Sequence, residues 1–216
     1  MLVFIALLSA IGEHAAAQVN QPIIPPESTV AVEECKFKIK NMFGGKVMIP
    51  ENSTYSPQGI YDLPDTGAQA PAVLRSFALV CVDASDKKIG TKLNAKKVNG
   101  QWMQYNPWPN ENIPELMPFD PGARPRTIPL EGRNWTGIGL TVDSTTGDEE
   151  SRHRMLYFCL IHKSHALCGK APVQWLADRK KRNDLWKIKA ILESVEFVDA
   201  PPPAESDPKN PSPAAQ

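Results

Sequence analysis

From Cys35 to Lys40 the chain reads CKFKIK, apolar and basic residues in strict alternation. A period of two sends every apolar side chain to one face, so this segment predicts a half-buried strand. A turn at FGG and a second strand at KVMIP follow. AVLRSFALVCVD, residues 72–83, is apolar on both faces and suits a central strand. NGQWMQY comes after a basic segment, and its Asn99-Gly100 step predicts a hairpin turn. NWTGIGLTVDS (residues 134–144) and HRMLYFCLIH (residues 153–162) flank the polar turn TTGDEE and predict an antiparallel pair. HALCG and VQWLAD read as further strands. The period then changes. In NDLWKIKAILES and the residue after it, Leu185, Ile188, Ile191, Leu192 and Val195 recur at three and four, which predicts an amphipathic helix capped by Asn183 or Asp184. SVEFV closes the pattern as a short strand. The fold class is α+β: mainly antiparallel sheet with a C-terminal amphipathic helix.

Two stretches break the pattern. Residues 50–71 are rich in Pro and Gly and read as a long loop. Residues 106–129 carry seven prolines, which exclude regular structure over most of that length. Long loops in compact domains are often functional, so both are candidate surfaces. Trp108, Met117 and Phe119 either pin the second loop to the domain or form an exposed apolar patch; pinning is the ordinary outcome for a soluble protein.

The chain begins MLVFIALLSAIGEHAAAQVN. An apolar run ending in small residues predicts a signal peptide over residues 1–17, although no Lys or Arg precedes the run. Residues 18–29 read as a flexible leading segment, residues 30–199 as one domain, and the proline-rich residues 200–216 as a disordered tail. No later stretch is apolar for long enough to span a bilayer, so no stable membrane insertion is expected once the signal is removed.

Charge narrows the function classes. The full chain has 24 Lys and Arg against 24 Asp and Glu; losing residues 1–17 removes only Glu13 and leaves a net charge of +1. That balance argues against nucleic acid as a partner. DRKKR, residues 178–182, has no interleaved aromatic residues and reads as a solvated basic run.

CLIHKSHALC, residues 159–168, spaces two cysteines and two histidines by two residues each. On a helix Cys159, His162, His165 and Cys168 would converge as zinc ligands. The segment is rich in aromatic and branched residues and reads as strand, where positions three apart face opposite ways. A two-residue turn at Lys163-Ser164 instead places Cys159 opposite Cys168 at a non-hydrogen-bonded pair, within disulfide reach. A disulfide-stapled hairpin is the expectation, with no metal site and no cofactor. Cys35 and Cys81 lie on predicted strands, and of the three possible connectivities 35–81 with 159–168 is preferred.

Catalytic signatures are sparse. There is no nucleophile elbow, no zinc-protease motif and no phosphate-cradling loop. His162, His165 and His153 read as exposed surface residues. Asn52-Ser53-Thr54 and Asn134-Trp135-Thr136 match the glycosylation pattern, relevant only to a eukaryotic secretory pathway.

ILESVEF, residues 191–197, joins an amphipathic helix to a short strand at the end of a β-rich domain. That close resembles the Mog1/PsbP-like domains, which include small bacterial envelope proteins of the DcrB type. The early KVMIPENSTYSPQGIYD is similar to the family's strand followed by a Pro-containing loop. The resemblance implies an antiparallel sheet flanked by helices and a binding or scaffold role.

The expected function is therefore a secreted, periplasmic, non-enzymatic binding protein with a protein partner in the cell envelope. A concrete version is an immunity-type protein that neutralises an envelope-targeted toxin. Trp102, Tyr105, Trp108 and Phe119 are the expected anchors, since aromatic residues dominate interface energetics. The alternatives are a small periplasmic hydrolase using dispersed residues such as His153 or Asp143, and a structural or chaperone subunit tethered by its tail.

Overall fold

The computed structural model describes residues 26–50, 58–64, 75–178 and 182–199. The expected signal peptide, the tail and most of the loop over residues 50–71 lie outside the described residues.

Strands β1 (Glu27–Val32) and β2 (Cys35–Lys40) form a hairpin. The alternation in CKFKIK does what it predicts: Cys35, Phe37 and Ile39 are buried, and Lys36 and Lys40 are exposed. β1 begins at Glu27, inside the segment expected to be a flexible leader. Next come β3 (Lys46–Met48), β4 (Gly59–Asp62), β5 (Ser76–Asp83) and helix α1 (Asp86–Leu93). β6 (Ala95–Val98), β7 (Gln101–Tyr105) and β8 (Leu116–Pro118) make a small meander. β9 (Arg126–Glu131), β10 (Thr136–Asp143), β11 (His153–His162) and β12 (His165–Trp175) follow. Helix α2 (Leu185–Glu193) and β13 (Glu196–Phe197) complete the domain.

The main sheet has seven strands in the order β3-β4-β5-β12-β11-β10-β9, every neighbouring pair antiparallel. A second sheet, β1-β2-β13, lies with α2 over one face. Phe37, Ile39, Leu79, Phe158, Leu160, Leu167, Ile188 and Ile191 make the core between these layers. The other face carries α1, whose Leu93 packs with Cys159, Ala166 and Cys168. β5, β11 and β12 are thus covered on both sides, as expected of strands apolar on both faces.

Both disulfides pair as expected, 35–81 and 159–168. Cys159 and Cys168 are cross-strand partners with Cα atoms 4.0 Å apart, and Lys163 starts the turn at φ 54°. Cys35–Cys81 does a different job: it ties the small sheet to the main one across the core.

Besides the early start of β1, the structure departs from expectation in four places. HALCG and VQWLAD are parts of one strand, β12. Its Pro172 lies beyond the last β5 pair, Lys170↔Ala78, so the missing N–H breaks no ladder bond there. The proline-rich stretch over residues 106–129 contains β8 and starts β9, because both run at sheet edges where proline is tolerated. Helix α2 is shorter than the apolar period suggested and excludes Val195; Asn183 Oδ1 accepts from the Leu185 N–H at 2.9 Å and anchors its first turn. Helix α1 was not expected at all, since Ile89 and Leu93 are its only large apolar residues.

Candidate functional site

β7 and β8 pair as far as Tyr105↔Leu116, and the chain between them projects as a hairpin arm. Its prolines supply fixed φ angles and no N–H, so side chains take over the hydrogen bonding. Asn106 Oδ1 accepts from Trp108 N–H at 3.1 Å, and Asn106 Nδ2 donates to Trp108 O at 3.1 Å. Asn106 N–H donates to Glu115 O at 2.8 Å across the base. Near the tip, Asn110 Oδ1 accepts from both Asn112 and Ile113 N–H groups at 2.9 Å. The two asparagines hold the arm in one shape. With its main chain bound on both sides by Asn106, Trp108 directs its indole outward and is 82% exposed.

The four expected anchors therefore separate. Trp108 is presented to solvent, against the expectation that it pins the loop. Tyr105 is buried at the base of the arm and is core. Trp102 is half-buried on the α1 face, and its Nε1 donates to Thr127 Oγ1 at 2.8 Å, joining the meander to β9. Met117 and Phe119 are half-buried, so pinning falls to them.

The residues considered for catalysis are otherwise engaged. Asp143 is 2% exposed, and Arg154 grips it with two N–H groups, Nη2–Oδ2 being 2.9 Å. Arg124 adds a further contact to Oδ2, and Arg154 Nη1 donates to Gln174 Oε1 at 3.1 Å. The bonds to Asp143 raise the Arg154 pKa above its ordinary value. Asp143 and Arg124 border an open cavity of about 490 Å³ whose other charged walls are Asp120, Glu149, Glu150 and Arg152. His153 does not line it; its ring stacks on Trp175 at 5.6 Å.

His162 is not an idle hairpin tip. Its Nδ1 lies 2.7 Å from Asn134 O and its Nε2 lies 2.8 Å from Asp199 Oδ1, with the ring stacked on Phe197 at 4.9 Å. Lys163 Nζ also reaches Asp199, at 2.7 Å. His162, first, and then Lys163 hold the Asp199 carboxyl below the usual range. His165 Nδ1 lies 3.2 Å from Oγ of its neighbour Ser164.

The Asn134 sequon is structurally committed. Asn134 Nδ2 donates to Phe197 O at 2.8 Å and Asn134 Oδ1 accepts from Phe197 N–H at 3.0 Å. A glycan on Nδ2 would remove that clasp. The Asn52 sequon lies outside the described residues.

Comparison of the chain with protein-family models, with curated proteins and with solved structures returned no match. No helix among the described residues is long and apolar enough to cross a membrane.

Proposed function

We propose that this is a non-enzymatic protein-binding module of the cell envelope, with the Trp108 arm as its recognition surface. An immunity-type protein that neutralises an envelope-targeted toxin is the concrete form of this reading. One observation carries it: an indole 82% exposed on an arm whose backbone is fixed by Asn106 and Asn110. A large rigid aromatic offers contact area at little entropic cost on binding, which is how interface anchors work. Pairing of all four cysteines supports an oxidising compartment.

The test is affinity capture from native envelope extract with oxidised protein, wild type beside Trp108→Ala. The expected result is one stoichiometric protein partner, lost or weakened in the variant, whose unfolding free energy stays within about 0.5 kcal/mol of wild type. Equal capture by both proteins, or unfolding of the variant, would overturn the assignment.

A further inference from the structure

β5 is covered unevenly along its length. On one side it pairs with β12 from Ala78 to Asp83. On the other side β4 reaches only as far as Gly59, opposite Leu79. Backbone groups along a strand address the two sides in turn. Ala84 N–H donates to Ser164 O on the β12 side, and Leu63 N–H donates to Arg75 O on the β4 side. Odd-numbered residues of β5 therefore address β4. Cys81 and Asp83 come next after Leu79, and among the described residues no strand lies beside them.

A slot of about 570 Å³ opens along this edge, with Val80, Cys81, Val82 and Asp83 as its floor. Its two walls belong to the two layers that cover the sheet. One wall is the β1–β2 turn, with Glu33 and Glu34, held at this place by the Cys35–Cys81 disulfide. The other is α1, with Lys88, Thr91 and Lys92. None of Glu33, Glu34, Lys88 and Lys92 makes a salt bridge with a described residue. The walls are thus opposite in sign; Lys88 already acts on the Asp83 carboxylate in the floor, and His165 completes the lining.

We infer that this slot binds an extended peptide segment of a partner protein by strand addition to β5. Main-chain bonds to Cys81 and Asp83 would supply affinity, and alternate side chains would enter opposite walls. The charges fix the chemistry of the occupant. Side chains facing the β1–β2 turn are basic, and those facing α1 are acidic or hydroxylated. The segment recognised therefore alternates in sign and its register is fixed, because a one-residue slip would set basic side chains against Lys88 and Lys92 and acidic ones against Glu33 and Glu34. This site is separate from the Trp108 arm and does not depend on it.

The test uses the oxidised full chain and a blocked hexapeptide of alternating lysine and glutamate. Two controls have the same composition: one N-methylated at alternate residues, one with its lysines and glutamates in two blocks. Hydrogen exchange is read at the Cys81 and Asp83 amides. The expected result is fast exchange at Cys81 in the free protein, protection on adding the alternating peptide, and binding at least about tenfold weaker for either control. Lys88→Glu with Lys92→Glu should weaken the alternating peptide, while Trp108→Ala should leave its affinity unchanged. A Cys81 amide already protected in the free protein would mean that this chain fills its own edge, and would overturn the proposal. So would equal affinity for the N-methylated control, or no binding.

Discussion

The indole N–H of Trp135 donates to the main-chain carbonyl of Val195 at 2.7 Å, across 60 residues of chain. Both residues are buried. The bond joins the entry to β10 with the turn between α2 and β13, and the paired bonds of Asn134 to Phe197 continue it. Gly132 makes room, since a Cβ there would lie 2.2 Å from Trp135 Cε2. This clasp closes the small sheet over the main one at the end of the domain.

Trp135→Phe keeps an aromatic ring but leaves the Val195 carbonyl buried without its donor. Such orphaned groups cost about 1–3 kcal/mol. A urea unfolding midpoint lowered accordingly is the expected outcome. An unshifted midpoint would show that another donor satisfies the carbonyl.

The two disulfides should differ in worth. Cys35–Cys81 spans 46 residues and Cys159–Cys168 spans 9. In the chain-entropy model, removing the long bridge costs about 4 kcal/mol and removing the short one about 2.5 kcal/mol. Paired Cys→Ala variants compared by guanidinium unfolding would measure both. Intact mass after alkylation without reduction should show no modified thiol in the wild type.

Asp143 and Arg154 form a half-hidden ion pair, with side chains 1% and 16% exposed. Asp143→Ala leaves the guanidinium without its carboxylate and should cost about 3–5 kcal/mol. Replacing both residues with apolar ones of similar size should recover much of that loss. A double variant as unstable as the single one would place the penalty elsewhere, in Arg124 or Gln174.

Asp199 sets an acid limb. Its folded pKa lies below the ordinary 3.8, with the His162 bond the largest cause and Lys163 the next. A depressed carboxyl contributes stability above its unfolded pKa and loses it as pH falls through the folded value. Wild type should therefore exceed Asp199→Asn in melting temperature above about pH 5, with the gap closing toward about pH 3. High salt should narrow the gap, because the pair sits at the surface. A gap unchanged at pH 3 would break the linkage.

The local features were legible where one period dominated. β2 and β11 match the expected segments to the residue, because alternation in CKFKIK and a continuous apolar run in HRMLYFCLIH leave little choice. The Cys159↔Cys168 register follows from a two-residue turn and a period of two. Helix α1 escaped notice because only Ile89 and Leu93 mark its buried side. β8 and β9 were hidden by prolines that only an edge position makes acceptable. Trp108 misled, since an apolar side chain in a loop ordinarily packs down. Its exposure depends on how Asn106 folds the arm, and hydrophobicity carries no trace of that.

Sequence alone determined the sheet-rich α+β class and the stapled Cys159–Cys168 hairpin, since these rest on side-chain alternation and short-range spacing, and it left Cys35 and Cys81 as the remaining pair. Tertiary structure decided the strand order, the clasp from Asn134 and Trp135 to β13, the turning outward of Trp108, and the edge of β5 that no described strand pairs beyond Leu79, between walls of opposite charge. Those depend on which distant segments come to lie side by side, and a local period holds no information about its neighbour across the sheet.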